Sequence, residues 1–160
     1  MTARLNEAEA EIRRLQAEYV FCADRGRVTE LVGLFARAGV YRNVGGAYDG
    51  LVHEGRGAIA AYLLSVVDDF AAVGVTDTHR HHVSPARLEF VGDGKARAES
   101  YYLAMRSFGP DHWGVYRDVL VNEDGAWRFA ERKCVIEGTS DASWQHEVRR
   151  RRLAAESAAP

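Results

Sequence analysis

The segment THRHHVSP (residues 78–85) contains three of the chain's six histidines within four positions. A neutral imidazole is a good general base near neutral pH and a common metal ligand, so chemistry is expected here first. In a β-strand, His79 and His81 face one side and Arg80 and His82 face the other. Alternation therefore divides the cluster and leaves at most one histidine pair on a common face.

The pair His79 and His81 has the H-x-H spacing of a metal site, but such a site needs further ligands with suitable geometry. The sequence offers no second histidine pair or nearby carboxylate at a familiar spacing, and Glu89 lies too far along the chain to complete one. No G-x-G-x-x-G fingerprint follows a predicted strand. We therefore expect neither a metal nor a cofactor.

A catalytic base is the alternative, and it needs a partner. A carboxylate beside a histidine fixes its tautomer and stabilises the imidazolium. The segment FCADRGR supplies Asp24 at the end of the first predicted helix. Helical phase places Asp24 about 100° from the centre of the apolar stripe, which permits an inward direction without requiring it. From the residues alone, a solvated helix-end acid remains the favoured interpretation for Asp24, and a buried core histidine remains open for His81.

The composition is that of one globular domain. The chain has 160 residues, of which 47% are hydrophobic and 28% charged, and its formal net charge of −2 does not suggest a nucleic-acid or membrane partner. Its two cysteines form no CxxC, and the N-terminus lacks an apolar signal segment, so a cytoplasmic location is expected. We expect a domain over residues 1–140 and a partly disordered extension over 141–160, with the basic run 149–152 on a solvated helix end or tail.

The hydrophobic pattern predicts helices first and strands afterwards. An apolar stripe from Leu5 to Cys22 predicts a helix that Gly26 ends, VTELVGLFARAG predicts a second helix ending at Gly39, and AIAAYLLSVVDDF predicts a third. VYRNV predicts a short strand, followed by a Gly-rich loop. Four strands are then expected in THRHHVSPARLEF, KARAESYYLAMRSF, HWGVYRDVLV and WRFAERKCVIE, joined by tight turns. This order favours an α+β fold with an antiparallel meander.

The residues also resemble a known family. Three segments are similar to sequences of the SnoaL-like, nuclear-transport-factor-2-like superfamily: LQAEYVFCADRGRVTELVGLFARAGVYRN, THRHHVSPARLEF and GVYRDVLVNEDGAWRFAERK. The resemblance covers residues 8 to 138. It implies a cone-shaped α+β barrel, in which a strongly curved antiparallel sheet wraps around three N-terminal helices and encloses a pocket. The pattern is closest to the group of scytalone dehydratase, bile-acid dehydratase and lindane dehydrochlorinase.

That group pairs an Asp at the end of the first helix with a His early in the sheet, and the resemblance puts Asp24 and His81 at these positions. It implies catalytic roles for both and a substrate-polarising role for Tyr41. Where scytalone dehydratase has a second histidine, this chain has Ser100, and Ala23 replaces the Tyr before the Asp. His79 and His82 are expected to be bystanders.

Strand alternation extends the prediction to the pocket walls. If Ser100 faces inward, so does Tyr102, and Tyr116 and Asp118 share the inner face of the next strand. Asp118 is alternatively a structural partner for an arginine such as Arg132. The predicted substrate-binding residues are therefore Val20, Ser100, Tyr102, Trp113, Tyr116 and Asp118. The opposite face carries Tyr101, Leu103, Val115 and Val119, which predicts packing against another subunit in a dimer or trimer.

These expectations favour a cofactor-free dehydratase, isomerase or cyclase of secondary metabolism, acting on a small hydrophobic molecule of polyketide, steroid or terpenoid type. His81 would remove a proton, Asp24 would orient it, and Tyr41 with Ser100 or Tyr116 would donate hydrogen bonds to a developing oxyanion. Two alternatives stay open. One is the small (beta) subunit of a ring-hydroxylating dioxygenase, and the other is a ligand-binding domain without turnover.

Overall fold

The computed structural model describes residues 2–158, with side chains from residue 4 onward. Three helices precede or interrupt the early strands: α1 (Thr2–Ala23), α2 (Val28–Gly33) and α3 (Gly55–Ala72). The sheet has seven strands: β1 (Phe35–Val44), β2 (Val52–Glu54), β3 (Arg80–Val83), β4 (Arg87–Gly92), β5 (Lys95–Arg106), β6 (Gly109–Glu123) and β7 (Ala126–Thr139). A last helix, α4 (Trp144–Ser157), ends the described chain.

The sheet confirms the predicted α+β class and differs from the prediction in one pairing. Its order is β2-β1-β7-β6-β5-β3, with β4 also paired to β5, and the sheet is curved and does not close. The expected meander is present, because β5, β6 and β7 pair antiparallel in sequence. However, β1 lies parallel to β7, with Phe35 opposite Phe129, so the sheet is mixed and not wholly antiparallel.

The predicted second helix is too long. It was expected to continue to Gly39, but α2 ends at Gly33 and Phe35 begins β1. Phe35 is fully buried against Phe129 of β7, and this distant pairing overrides the helical pattern of the local sequence. A Cβ on Gly39 would lie 2.9 Å from the Ala36 carbonyl oxygen and 3.0 Å from that of Phe129, so glycine there permits the irregularity in β1.

The strand predicted in THRHHVSPARLEF is in fact two strands. THRHHVSPARLEF forms β3 and β4, separated by residues 84–86. Pro85 lies in this interruption, where its missing N–H removes no ladder hydrogen bond. Both strands pair with β5, so the break lets one segment follow the curved sheet in two pieces.

The core joins α1 to the sheet. Ile12, Leu15, Tyr19 and Cys22 of the predicted stripe are buried and pack in one cluster with Phe129 of β7, whereas Leu5 at its start is exposed. Burial of such side chains contributes about 1.5–3 kcal/mol each. The core therefore fixes α1, and with it the helix end that carries Asp24.

The C-terminal extension, expected to be partly disordered, forms α4. Ser143 caps its start by accepting a hydrogen bond from the Gln145 N–H, and Trp144 and Val148 are buried. Residues 149–152 are mainly exposed, as predicted, but they lie in the middle of this helix and not at a helix end or in a tail. None of the helices in residues 2–158 has the length and apolar character needed to span a membrane.

Candidate functional site

A cavity of about 500 Å³ is lined by α1, α2, α3, α4 and the inner face of the sheet. This volume lies within the range typical of small-molecule sites, and such sites are mostly apolar with few polar groups. Its walls are mainly aromatic and aliphatic, including Tyr19, Leu31, Val66, Phe70 and Trp144. The polar groups in the lining include Asp24, Tyr41, Asn43, Asp77, His79, His81, His112 and Gln145.

Asp24 and His81 meet at the wall of this cavity. The Nδ1 of His81 lies 2.7 Å from Oδ1 of Asp24, and the side chain of Asp24 is only 5% exposed. The backbone N–H of His81 also donates to both carboxylate oxygens, at 3.2 and 3.1 Å. A carboxylate accepts, so Nδ1 carries the hydrogen and the lone pair of His81 is on Nε2.

The end of α1 places Asp24 toward the sheet. The Arg27 N–H bonds to the Cys22 carbonyl and the Gly26 N–H to the Ala23 carbonyl, which is the pattern of a Schellman cap. Gly26 has a φ of 63°, the left-handed conformation that this cap requires and glycine adopts easily. The predicted helix stop is thus confirmed, and it turns the chain away immediately after Asp24.

Strand β3 positions His81 by the predicted alternation. His81 pairs with Ala104 of β5 and is half-buried on the inner side, while Arg80 and His82 are exposed, although Arg80 also borders the cavity. His82 is therefore remote from the cavity lining in the described chain. His79, expected to be a bystander, instead lines the cavity just before β3 begins, with its ring centroid 4.8 Å from that of His81.

His112 is a third histidine in this wall, and the sequence interpretation missed it. It lies on β6 and is 5% exposed, with its ring centroid 6.0 Å from that of His81 and 5.7 Å from that of His79. One potential ligand atom from each of the three histidines lies within 4.8 Å of the others. The sequence offers no further ligand at a familiar spacing, but the fold brings His112 to the H-x-H pair. Alternation along β6 could have revealed this, because His112 shares a face with Tyr116.

His112 has a carboxylate partner of its own. Its Nδ1 lies 2.8 Å from Oδ2 of Asp111, which also accepts a hydrogen bond of 2.8 Å from the Ser143 hydroxyl. Arg106 lies 3.7 Å from the other oxygen of this fully buried carboxylate. Burial alone would raise the pKa of Asp111, but the hydrogen bonds from His112 and Ser143 outweigh it and the pKa is lowered.

The histidines that surround His81 are held neutral. Burial, with the nearby His81 and His112, lowers the pKa of His79 to about 3. Burial also lowers the pKa of His112, although Asp111 opposes the shift. Both rings therefore present lone pairs rather than positive charge near neutral pH.

Tyr41 and Asn43 of β1 are two hydrogen-bond donors in the cavity lining. Burial raises the pKa of Tyr41 well above its ordinary value, so its phenol stays protonated, and it lies 3.3 Å from the Tyr19 hydroxyl. The Oδ1 of Asn43 accepts a hydrogen bond of 2.9 Å from Tyr62. Its Nδ2 is shielded from solvent and has no hydrogen-bond partner within residues 2–158. Asn43 was not predicted, because its role depends on Tyr62 of a distant helix.

The inner face of β5 and β6 agrees with the predicted alternation. Ser100 and Tyr102 are each 3% exposed, and Tyr116 is also buried and lines the cavity. Tyr102 stacks on Tyr116 with ring centroids 4.3 Å apart. Within residues 2–158, neither Ser100 nor Tyr102 belongs to the cavity lining. These two side chains therefore support the wall from behind.

Asp118 is engaged with Arg132 instead of facing the cavity. Nε and Nη2 of Arg132 donate to the two carboxylate oxygens at 2.8 and 2.7 Å, and both side chains are almost completely buried. This is the alternative that the sequence left open, an arginine partner for Asp118. Burial alone would lower the pKa of Arg132, but the charge of Asp118 raises it.

Trp113 and Val20 lie outside the cavity lining found in residues 2–158. Trp113 is 39% exposed and packs over Gly138, where an added Cβ would lie 2.4 Å from the indole ring. Val20 is half-buried and packs against the core. On the predicted outer face, Tyr101 is 71% exposed and Val119 is also exposed, but Val115 is buried.

Comparison with solved structures gives several similar folds. A provisionally assigned scytalone dehydratase from Novosphingobium aromaticivorans has 24% identity and a TM-score of 0.72, over 88% of this chain and 91% of that one. An NTF2-like protein with a cystatin-like fold from the same organism has 27% identity and a TM-score of 0.72, over 92% of each chain. The beta subunit of a provisionally assigned aromatic-ring-hydroxylating dioxygenase, also from this organism, has 20% identity and a TM-score of 0.67, over 89% of this chain and 96% of that one.

A sequence comparison with curated proteins found no match. The model of the SnoaL-like domain matches residues 4–133, which is most of the chain and includes α1 with Asp24, β3 with His81, and β6 with His112. Together with the curved open sheet and its cavity, this match confirms the predicted resemblance. The chain belongs to the family of SnoaL-like domains.

Proposed function

We propose that this protein is a cofactor-independent enzyme of the dehydratase, isomerase or cyclase type, with His81 as general base. The observation that carries the proposal is the hydrogen bond of 2.7 Å between His81 and the buried Asp24 at the wall of the cavity. A base in this arrangement removes a proton through Nε2, while the carboxylate stabilises the imidazolium that forms.

The remaining polar groups suit the charge that develops on the substrate. Loss of a proton from carbon beside a carbonyl places negative charge on oxygen, and preorganised donors stabilise it. The protonated Tyr41 and the unpartnered Nδ2 of Asn43 are donors of this kind in the cavity lining. The aromatic walls favour a small, largely apolar substrate of polyketide, steroid or terpenoid type.

The first prediction tests the dyad. His81→Gln and Asp24→Asn should each lower kcat/KM by about 10²–10⁴-fold, the usual contribution of general base catalysis. His82→Gln is the matched control, because His82 is exposed on the other face of the same strand and should retain activity. Substrates would first be found by thermal-shift screening of candidate ligands, followed by a turnover assay of each hit.

Circular dichroism would show whether each variant is folded. Full turnover by folded His81→Gln or Asp24→Asn protein would contradict the dyad. Ligand binding without turnover of any hit would favour a binding domain instead.

A small subunit of a ring-hydroxylating dioxygenase is the second candidate. The exposed Tyr101 and Val119 on the outer face of β5 and β6 favour it, because such side chains are suited to an interface with a larger chain. Purification distinguishes the two candidates. A stable, active assembly of this chain alone supports the enzyme, whereas activity only with a co-expressed iron-containing subunit supports the dioxygenase.

A further inference from the structure

Three histidines from two distant segments converge at one wall of the cavity. His79 directly precedes β3, His81 lies in β3, and His112 comes from β6, two strands across the sheet. One ring nitrogen of each lies within 4.8 Å of the other two. The proposed proton transfer uses His81 alone, so it does not explain why the other two imidazoles are here.

Two of the three rings are held in the manner of metal ligands. His81 and His112 each direct Nδ1 to a carboxylate, Asp24 at 2.7 Å and Asp111 at 2.8 Å. The carboxylate fixes the hydrogen on Nδ1 and leaves the lone pair on Nε2, which is how metal-binding histidines are usually oriented. The two negative charges behind the rings would also offset the charge of a divalent ion.

The third ring has a free nitrogen. The Nε2 of His79 is shielded from solvent and bonds to nothing in the part of the chain that is described. A buried polar atom without a partner is costly, and a metal ion would remove that cost. All three histidines belong to the cavity lining, so a fourth coordination position would face the cavity.

The distances require only a small closure. In a tetrahedral zinc site the Zn–N bonds are about 2.0–2.1 Å, which puts the nitrogens about 3.3 Å apart. Closing from 4.8 Å requires shifts of about 1 Å for each ring. His79 can contribute most readily, because it precedes β3 and its Nε2 has no bond to break. Three imidazole ligands suit zinc, cobalt, nickel or copper and not calcium or magnesium.

We propose that His79, His81 and His112 form a binding site for a divalent transition metal ion, with zinc as the reference ion and one coordination position open to the cavity. The binding does not depend on the proposed reaction. It has a consequence for that reaction, because a metal on Nε2 of His81 occupies the lone pair that the base requires. Zinc should therefore inhibit turnover, and a chelator should restore it.

The test titrates the full-length protein with zinc against a chromophoric chelator, and with cobalt by its visible absorption. The wild type should bind one ion and give the intense bands of tetrahedral cobalt. His79→Gln and His112→Gln should each weaken binding about tenfold or more, and Asp111→Asn about 10–100-fold through the orientation of His112. His82→Gln should bind as the wild type does.

Wild-type binding no tighter than that of His79→Gln, or weak octahedral cobalt bands alone, would overturn the site. His79→Gln is the decisive variant, because its side chain makes no hydrogen bond through Nε2 whose loss would unfold the protein. Zinc binding without inhibition would support the site and contradict His81 as the base. Absence of turnover with intact zinc binding would contradict the proposed reaction only.

Discussion

At the scale of single residues, the pairing of Asp24 with His81 is tighter than a side-chain hydrogen bond alone. The same carboxylate accepts from the ring and from the backbone N–H of His81. Rotation of the imidazole is therefore restrained relative to the strand that carries it. A base fixed in this way loses little entropy when the substrate arrives, which favours proton transfer.

Asn43 gives the second prediction. Tyr62 donates to its Oδ1, so the amide orientation is set and Nδ2 is directed elsewhere, without a partner in residues 2–158. If Nδ2 stabilises an oxyanion, Asn43→Leu should lower kcat/KM by about 10²–10³-fold. Tyr62→Phe, which removes only the orienting hydrogen bond, should have a smaller effect. Steady-state kinetics of both variants provide the test, and equal losses in the two would argue against a direct role for Asn43.

The sequence supported some of these residues better than others. Helical phase left Asp24 undecided, and only the family resemblance paired it with His81. Alternation from Tyr116 places His112 on the inner face, but no spacing in the sequence links it to His79 and His81. Asn43 had no local signal at all, since a partner on α3 determines the direction of its amide.

At the scale of secondary-structure elements, irregularities in β6 place His112. Ala104 of β5 pairs with His112, but the next residue, Met105, pairs with Pro110, so Asp111 is an extra residue in β6. A bulge of this kind brings two consecutive side chains to one side of a strand. Asp111 and His112 are consequently both buried, which strict alternation forbids.

Gly114, two residues farther along β6, gives the third prediction. A Cβ there would lie 1.9 Å from the carbonyl oxygen of Val135, a backbone atom of β7. Gly114→Ala should therefore lower the free energy of unfolding by about 1–3 kcal/mol or more. Gly57→Ala, in α3 with open space around its Cβ, is the control and should be neutral or stabilising. Urea denaturation measures both, and a stable Gly114→Ala protein would contradict the close packing of β6 on β7.

Asp77 gives the fourth prediction, on the segment that leads to His79. It accepts hydrogen bonds from Arg106, from the Ser107 N–H at 3.0 Å and from the Ser107 hydroxyl at 2.7 Å. Arg106 and Ser107 hold the pKa of Asp77 well below its usual value. A carboxylate with a lowered pKa stabilises the folded state above its unfolded pKa of about 3.9, and this stability is lost as the pH falls.

The thermal midpoint of the wild type should therefore exceed that of Asp77→Asn at about pH 6, and the difference should shrink toward about pH 3. Ser84→Ala, which removes a neutral acceptor for the Tyr101 N–H and no titratable group, should show no such convergence. A difference that stays constant with pH would contradict the ionic role of Asp77.

The elements themselves were partly predictable. The apolar stripe of α1 and the Gly26 stop are local signals, and both are confirmed. The predicted end of α2 was wrong, because pairing with Phe129, far away in the chain, overrides the helical pattern through Phe35. No local pattern reports a parallel pairing of this kind.

At the scale of the whole molecule, one buried ion pair connects the sheet to α1. Arg132 of β7 binds Asp118 of β6, and its guanidinium carbon lies 3.9 Å from the ring centroid of Tyr19 and 4.3 Å from that of Tyr116. Both tyrosines also line the cavity. The ion pair therefore supports the wall of the site while remaining out of the lining itself.

The fifth prediction concerns this pair. Asp118→Asn leaves a buried guanidinium uncompensated and should destabilise the protein by about 3–5 kcal/mol. The double variant Asp118→Leu/Arg132→Met removes both charges and should lose less than the sum of the two single changes. Urea unfolding of Asp118→Leu, Arg132→Met and the double variant measures the coupling. Additive losses would show that the charges act independently, contrary to the geometry.

The parallel contact between β1 and β7 has a consequence for how the molecule is made. Phe35 meets Phe129 only after the ribosome has added almost a hundred further residues. Until then, the edge of β1 that pairs with β7 has no partner strand, and Phe35 lacks its neighbour Phe129. Contacts between distant segments form slowly, because closing a long loop costs entropy before any bond is gained. Cys134 and Ile136 of β7 line the cavity, so a chain that stops short of β7 would lack part of the enclosure in which any reaction could occur.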